Sequence, residues 1–163
     1  ILEHYMIEIK KIGIIGAGTM GSGIAQICAL KGYETILLDL DQNSINKAKT
    51  VIDKNLQKGV DRGKISNEDK LNCLNNLSFT IDLNDIVVDL IIEAVVERLD
   101  VKQDLFKKLA IINSDETIFA SNTSSIPITD IASAIPNPER VVGMHFFNPA
   151  HIMKLVEVIS GKG

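Results

Sequence analysis

The sequence predicts an α/β fold: a doubly wound, mostly parallel sheet with one helical excursion after the second strand. Three observations carry this. Apolar runs of strand length alternate with helical stretches along the chain, the order that places helices on both faces of a parallel sheet. The run Leu90-Ile-Ile-Glu-Ala-Val95 is broken by one acid and does not alternate, which suits a strand covered on both faces. From Lys10 to Asp39 the order is apolar run, glycine turn, helix, apolar run, carboxylate, a Rossmann-type unit of about thirty residues.

The elements follow in order. Ile12 to Ile15 is the first strand and enters Gly16-Ala17-Gly18-Thr19-Met20-Gly21. A helix with Ile24, Ile27 and Cys28 on its apolar side is closed by Gly32, and Thr35 to Leu38 forms the second strand. Residues 42–62 place Ile45, Ala48, Ile52, Leu56 and Val60 at steps of three and four, an amphipathic helix with a long polar and basic face. Ser66-Asn-Glu-Asp69 starts another helix, with Leu71 and Leu74 as its apolar face. Leu77 to Thr80 is a short strand, and Asn84-Asp85 a turn or short helix. After the Leu90–Val95 strand, helical periodicity runs from Asp100 to Ile112, and Thr117 to Ala120 is the next strand. Pro127 opens a helix reaching about Ile135, which Pro136-Asn-Pro138 stops. Arg140–His145 and Leu155–Ile159 are the last two strands.

Composition narrows the function. At 163 residues, 45% apolar and 23% charged, the chain fits one globular domain with a sizeable core. A formal net charge of −4 favours neither nucleic acid nor an anionic membrane. Trp is absent and aromatics are scarce, so a base-stacking surface is not expected. No apolar run reaches the roughly 20 residues of a membrane span. Cys28 and Cys73 lack the spacing of a disulfide framework or a metal site, and with no signal-peptide pattern the expectation is a cytoplasmic protein without metal. The opening ILEHY resembles vector-derived sequence, so residues 1–5 are set aside and the domain is taken as 6–163, from Met6.

Each glycine of the turn has an expected role. Gly16 permits the bend, Gly18 lets the backbone approach a pyrophosphate, and Gly21 lets helix and strand pack closely. The helix opening there directs free N–H groups at the phosphates. Asp39 can accept from both ribose hydroxyls and would repel a 2′-phosphate, which selects NAD over NADP; the plain alternative is a solvated acid at a strand end.

Functional groups of such sheets gather at the carboxyl ends of the strands, and Glu97, Ser121–Ser125, His145 and Asn148 all fall there. His145 can take a proton from an alcohol near neutral pH, and Glu157 can fix its tautomer and stabilise its cation if the chain returns between them. Read singly, His145 fits a hydrogen-bonded structural residue and Glu157 a surface acid. Ser124 can donate to a substrate oxygen or a nicotinamide amide, or cap a helix, a task Ser125 could also fill. Glu97 and Lys102 fit either a second ribose or a surface ion pair.

The segments GIIGAGTMGSGIAQ, EAVVE, ASNTSS and GMHFFNPAHIMKLVEVI, in this order, closely resemble the 3-hydroxyacyl-CoA dehydrogenase family, and most of all its bacterial members acting on 3-hydroxybutyryl-CoA. The resemblance spans essentially Lys10–Gly163. It implies NAD-dependent oxidation of a 3-hydroxyacyl-CoA to the 3-oxoacyl-CoA, and the reverse. His145 is then the base, Glu157 its partner and Ser124 a contact to substrate and cofactor. Asp39, Glu97, Lys102 and Asn148 join the glycine turn as cofactor contacts. Asn55, Lys58 and Arg62 become candidates for the coenzyme A side, with Asn122 a further substrate-side candidate. The family also has a helical second domain that makes dimer contacts and supplies another substrate-positioning Asn. It is not in this sequence, so a homo-oligomer is expected of the longer protein and weak turnover of this chain. Two other readings share the glycine turn: a non-catalytic NAD-binding module, which has no need of His145 with Glu157, and a dehydrogenase of small hydroxy acids.

Overall fold

Parallel pairing begins at the glycine turn. β1 (Lys11–Ile15) enters the turn, α1 (Thr19–Leu30) leaves it, and β2 (Glu34–Leu38) pairs parallel with β1, Ile14 opposite Leu37. The structure is a computed structural model that describes residues 6–161, so the expected vector-derived stretch 1–5 lies outside the described residues. α2 (Gln42–Asp61) and α3 (Asn67–Asn76) form the helical excursion and return the chain to β3 (Leu77–Thr80). The second half runs β4 (Leu90–Glu93), α4 (Leu99–Ile112), β5 (Ile118–Ser121), α5 (Ile128–Ala132), β6 (Val141–Phe146) and β7 (Val156–Ser160).

The strand order is β3-β2-β1-β4-β5-β6-β7. Strands β1 to β6 pair in parallel and β7 antiparallel to β6. The order reverses between β1 and β4, so a crevice opens above their carboxyl ends, beside the glycine turn. Alternate strand residues feed two cores. Ile14, Leu37 and Ile92 pack with α1, α2 and α3 on one face. Ile15, Leu38, Ile91 and Phe119 pack with α4 and α5 on the other, where Phe106 meets Phe119 edge-on at 5.2 Å.

Helix starts follow local chemistry. The Asp41 carboxylate accepts from the N–H groups of Asn43 and Ser44 at the head of α2. At α3, Ser66 Oγ accepts from Asp69 N–H while the Asp69 carboxylate accepts from Ser66 N–H, a capping box. α1 starts at Gly18 with no side-chain cap, which leaves its first N–H groups free for a ligand.

The structure corrects four expectations. Leu71 is 61% exposed, and the buried residue of α3 is Cys73, whose thiol faces Gln26 O across α1; contact with α1, not the apolar count, sets the rotation of this short helix. β4 stops at Glu93 and not Val95, because the Glu93 carboxylate captures Val95 N–H at 2.8 Å. α5 ends at Ala132, short of Ile135, because Pro136 drives its predecessor out of the helical region. Neither Ser124 nor Ser125 caps α5; Thr123 Oγ1 accepts instead from the N–H groups of Ser125 and Ile126.

Candidate functional site

The turn between β1 and α1 is built with almost no spare room. Gly16 sits at φ +101°, where a Cβ would lie 2.6 Å from Ala94 O. A Cβ on Gly21 would lie 1.6 Å from Gly16 O, so the close approach at Gly21 is to the turn itself. Gly18 differs: a Cβ there would meet nothing within 4 Å. That open space, above uncapped N–H groups at a helix start, fits a pyrophosphate.

Asp39 is not a free strand-end acid. Its carboxylate accepts from Ala17 N–H and from Asp41 N–H, each at 2.9 Å, and so clamps the turn to the end of β2. It lines a cleft of about 480 Å³ with Gly16, Gly18, Leu40, Val95 and Leu105, an apolar slot with a carboxylate at one side. These features fit the adenosine half of NAD. A second cleft of about 370 Å³ continues past Ala17, Thr19 and Ser22 to Asn148 and His151, so Asn148 faces the start of α1. Met20, on the same turn of α1, is half-buried against the core.

The second cleft adjoins a basic groove of about 450 Å³ lined by Lys58, Arg62, Lys64 and Lys154. Asn55 and His151 line both. The structure therefore brings Asn55, Lys58 and Arg62 together on the polar side of α2. Burial, reinforced by the Lys58 ammonium, pushes His151 below the usual imidazole range.

At the opposite side of the crevice, His145 and Glu157 stand directly across the β6–β7 ladder. Opposed residues project to the same face, so the register puts both side chains on one face of the sheet, though among the described residues no hydrogen bond or ion pair joins them. Glu157 is exposed and His145 half-buried, its ring edge-on to Phe147 at 4.8 Å. Among the described residues His145 Nδ1 is buried without a hydrogen-bond partner. Ser124 is exposed in the loop after β5, and Asn122 Oδ1 accepts from Phe146 N–H at 2.9 Å, which ties that loop to β6. Asn122 thus commits one carbonyl lone pair to the fold and keeps its two amide N–H groups for a ligand.

Glu97 and Lys102 form only a long ion pair, and its lysine is not at the surface. Lys102 is 1% exposed, and its Nζ lies 2.6 Å from the fully buried Glu93 and 3.9 Å from Glu97. Glu97 accepts from Thr123 Oγ1 at the rim of the crevice. Sequence reasoning missed Glu93, Thr123 and His151. The available signals were an acid inside a non-alternating apolar run and a second imidazole close to His145. Cys28 and Cys73 are both buried; burial pushes their thiols to about 12 and about 11, which makes them inert near neutral pH. No helix among the described residues is long and apolar enough to cross a membrane.

Comparison with known proteins places the geometry in context. Residues 11–163 match the family described as 3-hydroxyacyl-CoA dehydrogenase, NAD binding domain. A 3-hydroxybutyryl-CoA dehydrogenase of Clostridioides difficile is 48% identical over 153 residues, which cover 93% of this chain and 54% of that protein. The 3-hydroxyadipyl-CoA dehydrogenase of Escherichia coli K12 is 46% identical over 160 residues, 96% of this chain and 33% of the relative. A crystal structure of 3-hydroxybutyryl-CoA dehydrogenase from Escherichia coli K12 superimposes with a TM-score of 0.91 at 44% identity, covering 93% of this chain and 32% of that one. The chain spans about half the length, or less, of these relatives.

Proposed function

Since the chain belongs to the 3-hydroxyacyl-CoA dehydrogenase family, as an NAD-binding domain, we propose that it serves the NAD-dependent interconversion of a 3-hydroxyacyl-CoA, 3-hydroxybutyryl-CoA in the first instance, and its 3-oxoacyl-CoA. The observation that carries this reading is the β6–β7 register: it sets His145 opposite Glu157 on the sheet that ends at the glycine turn.

His145 takes the proton of the substrate hydroxyl as the carbon it is bonded to gives up hydride. When bound, NAD supplies the hydride acceptor. Glu157 on one ring nitrogen holds the tautomer and stabilises the imidazolium formed at the other. In the reverse direction His145 returns the proton to the new hydroxyl. Ser124 donates to the substrate oxygen or the nicotinamide amide, and the Asn122 amide is the further donor on that loop. Asp39 accepts from the hydroxyls of one ribose and Glu97 from those of the other. Asn148 closes the side facing α1, and Lys102 contributes its charge from beneath Glu97. The basic groove of Lys58 and Arg62, with Asn55 at its mouth, suits the phosphates of coenzyme A.

Replacing His145 by Ala in the longer protein, with its helical second domain, tests the assignment. The expected result is a loss of NADH-dependent acetoacetyl-CoA reduction on the order of 10²–10⁴-fold, with NADH affinity unchanged. Equal rates in both proteins would remove His145 from the chemistry. A longer protein, carrying the helical second domain, that binds NADH and turns over no acyl-CoA would favour a binding module instead.

A further inference from the structure

The buried carboxylate of Glu93 has no part in the scheme above, yet it holds three partners from three segments of the chain. Its Oε2 takes Lys102 Nζ at 2.6 Å and Val95 N–H at 2.8 Å. Its Oε1 takes Ser121 Oγ at 2.6 Å, and Ser121 Oγ in turn accepts from Thr123 N–H at 3.2 Å. Thr123 Oγ1 then donates to Glu97. One buried acid therefore joins the end of β4, the end of β5 and the first turn of α4.

An enclosed ion pair of this kind is a weak stabiliser, because desolvation offsets most of the attraction. What it does is fix where the charges go. The Lys102 ammonium has three acceptors within reach: Glu93 at 2.6 Å, Val95 O at 3.5 Å and Glu97 at 3.9 Å. Glu93 holds it inward. Of the other two acceptors Val95 O, at 3.5 Å, is neutral, so without Glu93 the one remaining carboxylate among the described residues within 4 Å of an ammonium enclosed to 99% is Glu97. Glu97, whose side chain is 44% exposed, would be drawn off the rim.

We infer that Glu93 is a positioning residue of the cofactor site: by occupying Lys102 it leaves the Glu97 carboxylate at the rim of the crevice, free to accept from a ribose. The inference rests on the reading of Glu97 as a contact to the nicotinamide-side ribose.

The test compares two ligands of different reach. NADH spans the crevice, whereas ADP offers only the adenosine half beside Asp39. Glu93→Gln is expected to raise the NADH dissociation constant about tenfold, the scale of one lost hydrogen bond to a charged group, with ADP unchanged. General loosening of the fold would weaken both ligands in parallel and leave their ratio unmoved. Placed in a Glu97→Gln background, Glu93→Gln is expected to add no further loss of NADH affinity, because the contact it protects is already gone. Ser121→Ala takes away one of the bonds that hold the carboxylate in place and so loosens its hold on Lys102; the same split, at about threefold, is expected there, and this variant carries the test should Glu93→Gln not fold. Parallel loss of NADH and ADP overturns the inference. So does a Glu93→Gln loss undiminished in the Glu97→Gln background, since Glu93 would then act on the cofactor by a route other than Glu97. A wild-type chain that binds no NADH overturns both this inference and the reading beneath it; a wild-type chain that binds it, with variants of unchanged ratio, overturns the inference alone.

Discussion

Gly16, Gly18 and Gly21 carry the same letter for different physical reasons. Gly16 and Gly21 are held by contacts within the protein, with Ala94 O and Gly16 O where a Cβ would stand. Gly18 has an ordinary φ of −72° and open space where its Cβ would project, so the protein itself makes no demand for glycine there. On the proposed reading, the demand comes from the cofactor pyrophosphate. Gly18→Ala is therefore expected to fold with wild-type stability, within about 0.5 kcal/mol, while losing NADH affinity. Gly21→Ala is expected to lose stability by 1–3 kcal/mol or more, the scale of overpacking. Denaturant titration and NADH binding on both variants separate the two. Sequence reasoning placed the three glycines correctly because the spacing is local, but it gave Gly21 a helix–strand contact where the closest neighbour is the turn carbonyl. Glu93 was beyond the same reasoning: an acid in an apolar run gives no hint that its partner is Lys102, on the next helix.

Among the elements, α3 shows what local chemistry can and cannot say. Its start was legible in Ser66-Asn-Glu-Asp69, since a capping box is written entirely within one turn. Ser66→Ala removes an acceptor from an exposed helix start and is expected to cost about 1 kcal/mol in urea unfolding, without altering NADH affinity. Which face of α3 turns inward was not legible. Leu71 has the greater hydrophobicity, yet Cys73 takes the buried position against α1. α5 shows a different limit. Ile135 is buried as expected of a helical face, but in the turn that follows the helix, because Pro136 constrains the backbone before it.

For the molecule as a whole, binding and stability are linked. A ligand held only by the folded chain raises stability by about 2.7 kcal/mol at a hundred times its dissociation constant. For a chain of this size that is a rise of roughly 5–10 °C in melting temperature. NADH is expected to give such a rise in a thermal shift assay. NADPH at the same concentration is expected to give little, because Asp39 is clamped to the turn and cannot swing away from a 2′-phosphate. Equal shifts would show that Asp39 does not select between the two cofactors.

By itself the sequence determined the alternation of strands and helices, the glycine turn with its carboxylate and the helix start at Ser66. All of these lie within one turn or one strand–helix–strand unit, where spacing dictates geometry. Only the tertiary structure decided that His145 stands across from Glu157, that Lys102 is enclosed against Glu93, that Asn122 commits a carbonyl lone pair to Phe146, and that Asn55 and His151 line two adjoining clefts. Each of these joins separate elements, and the packing of sheet against helix decides which side chains are sealed from water and which reach the crevice.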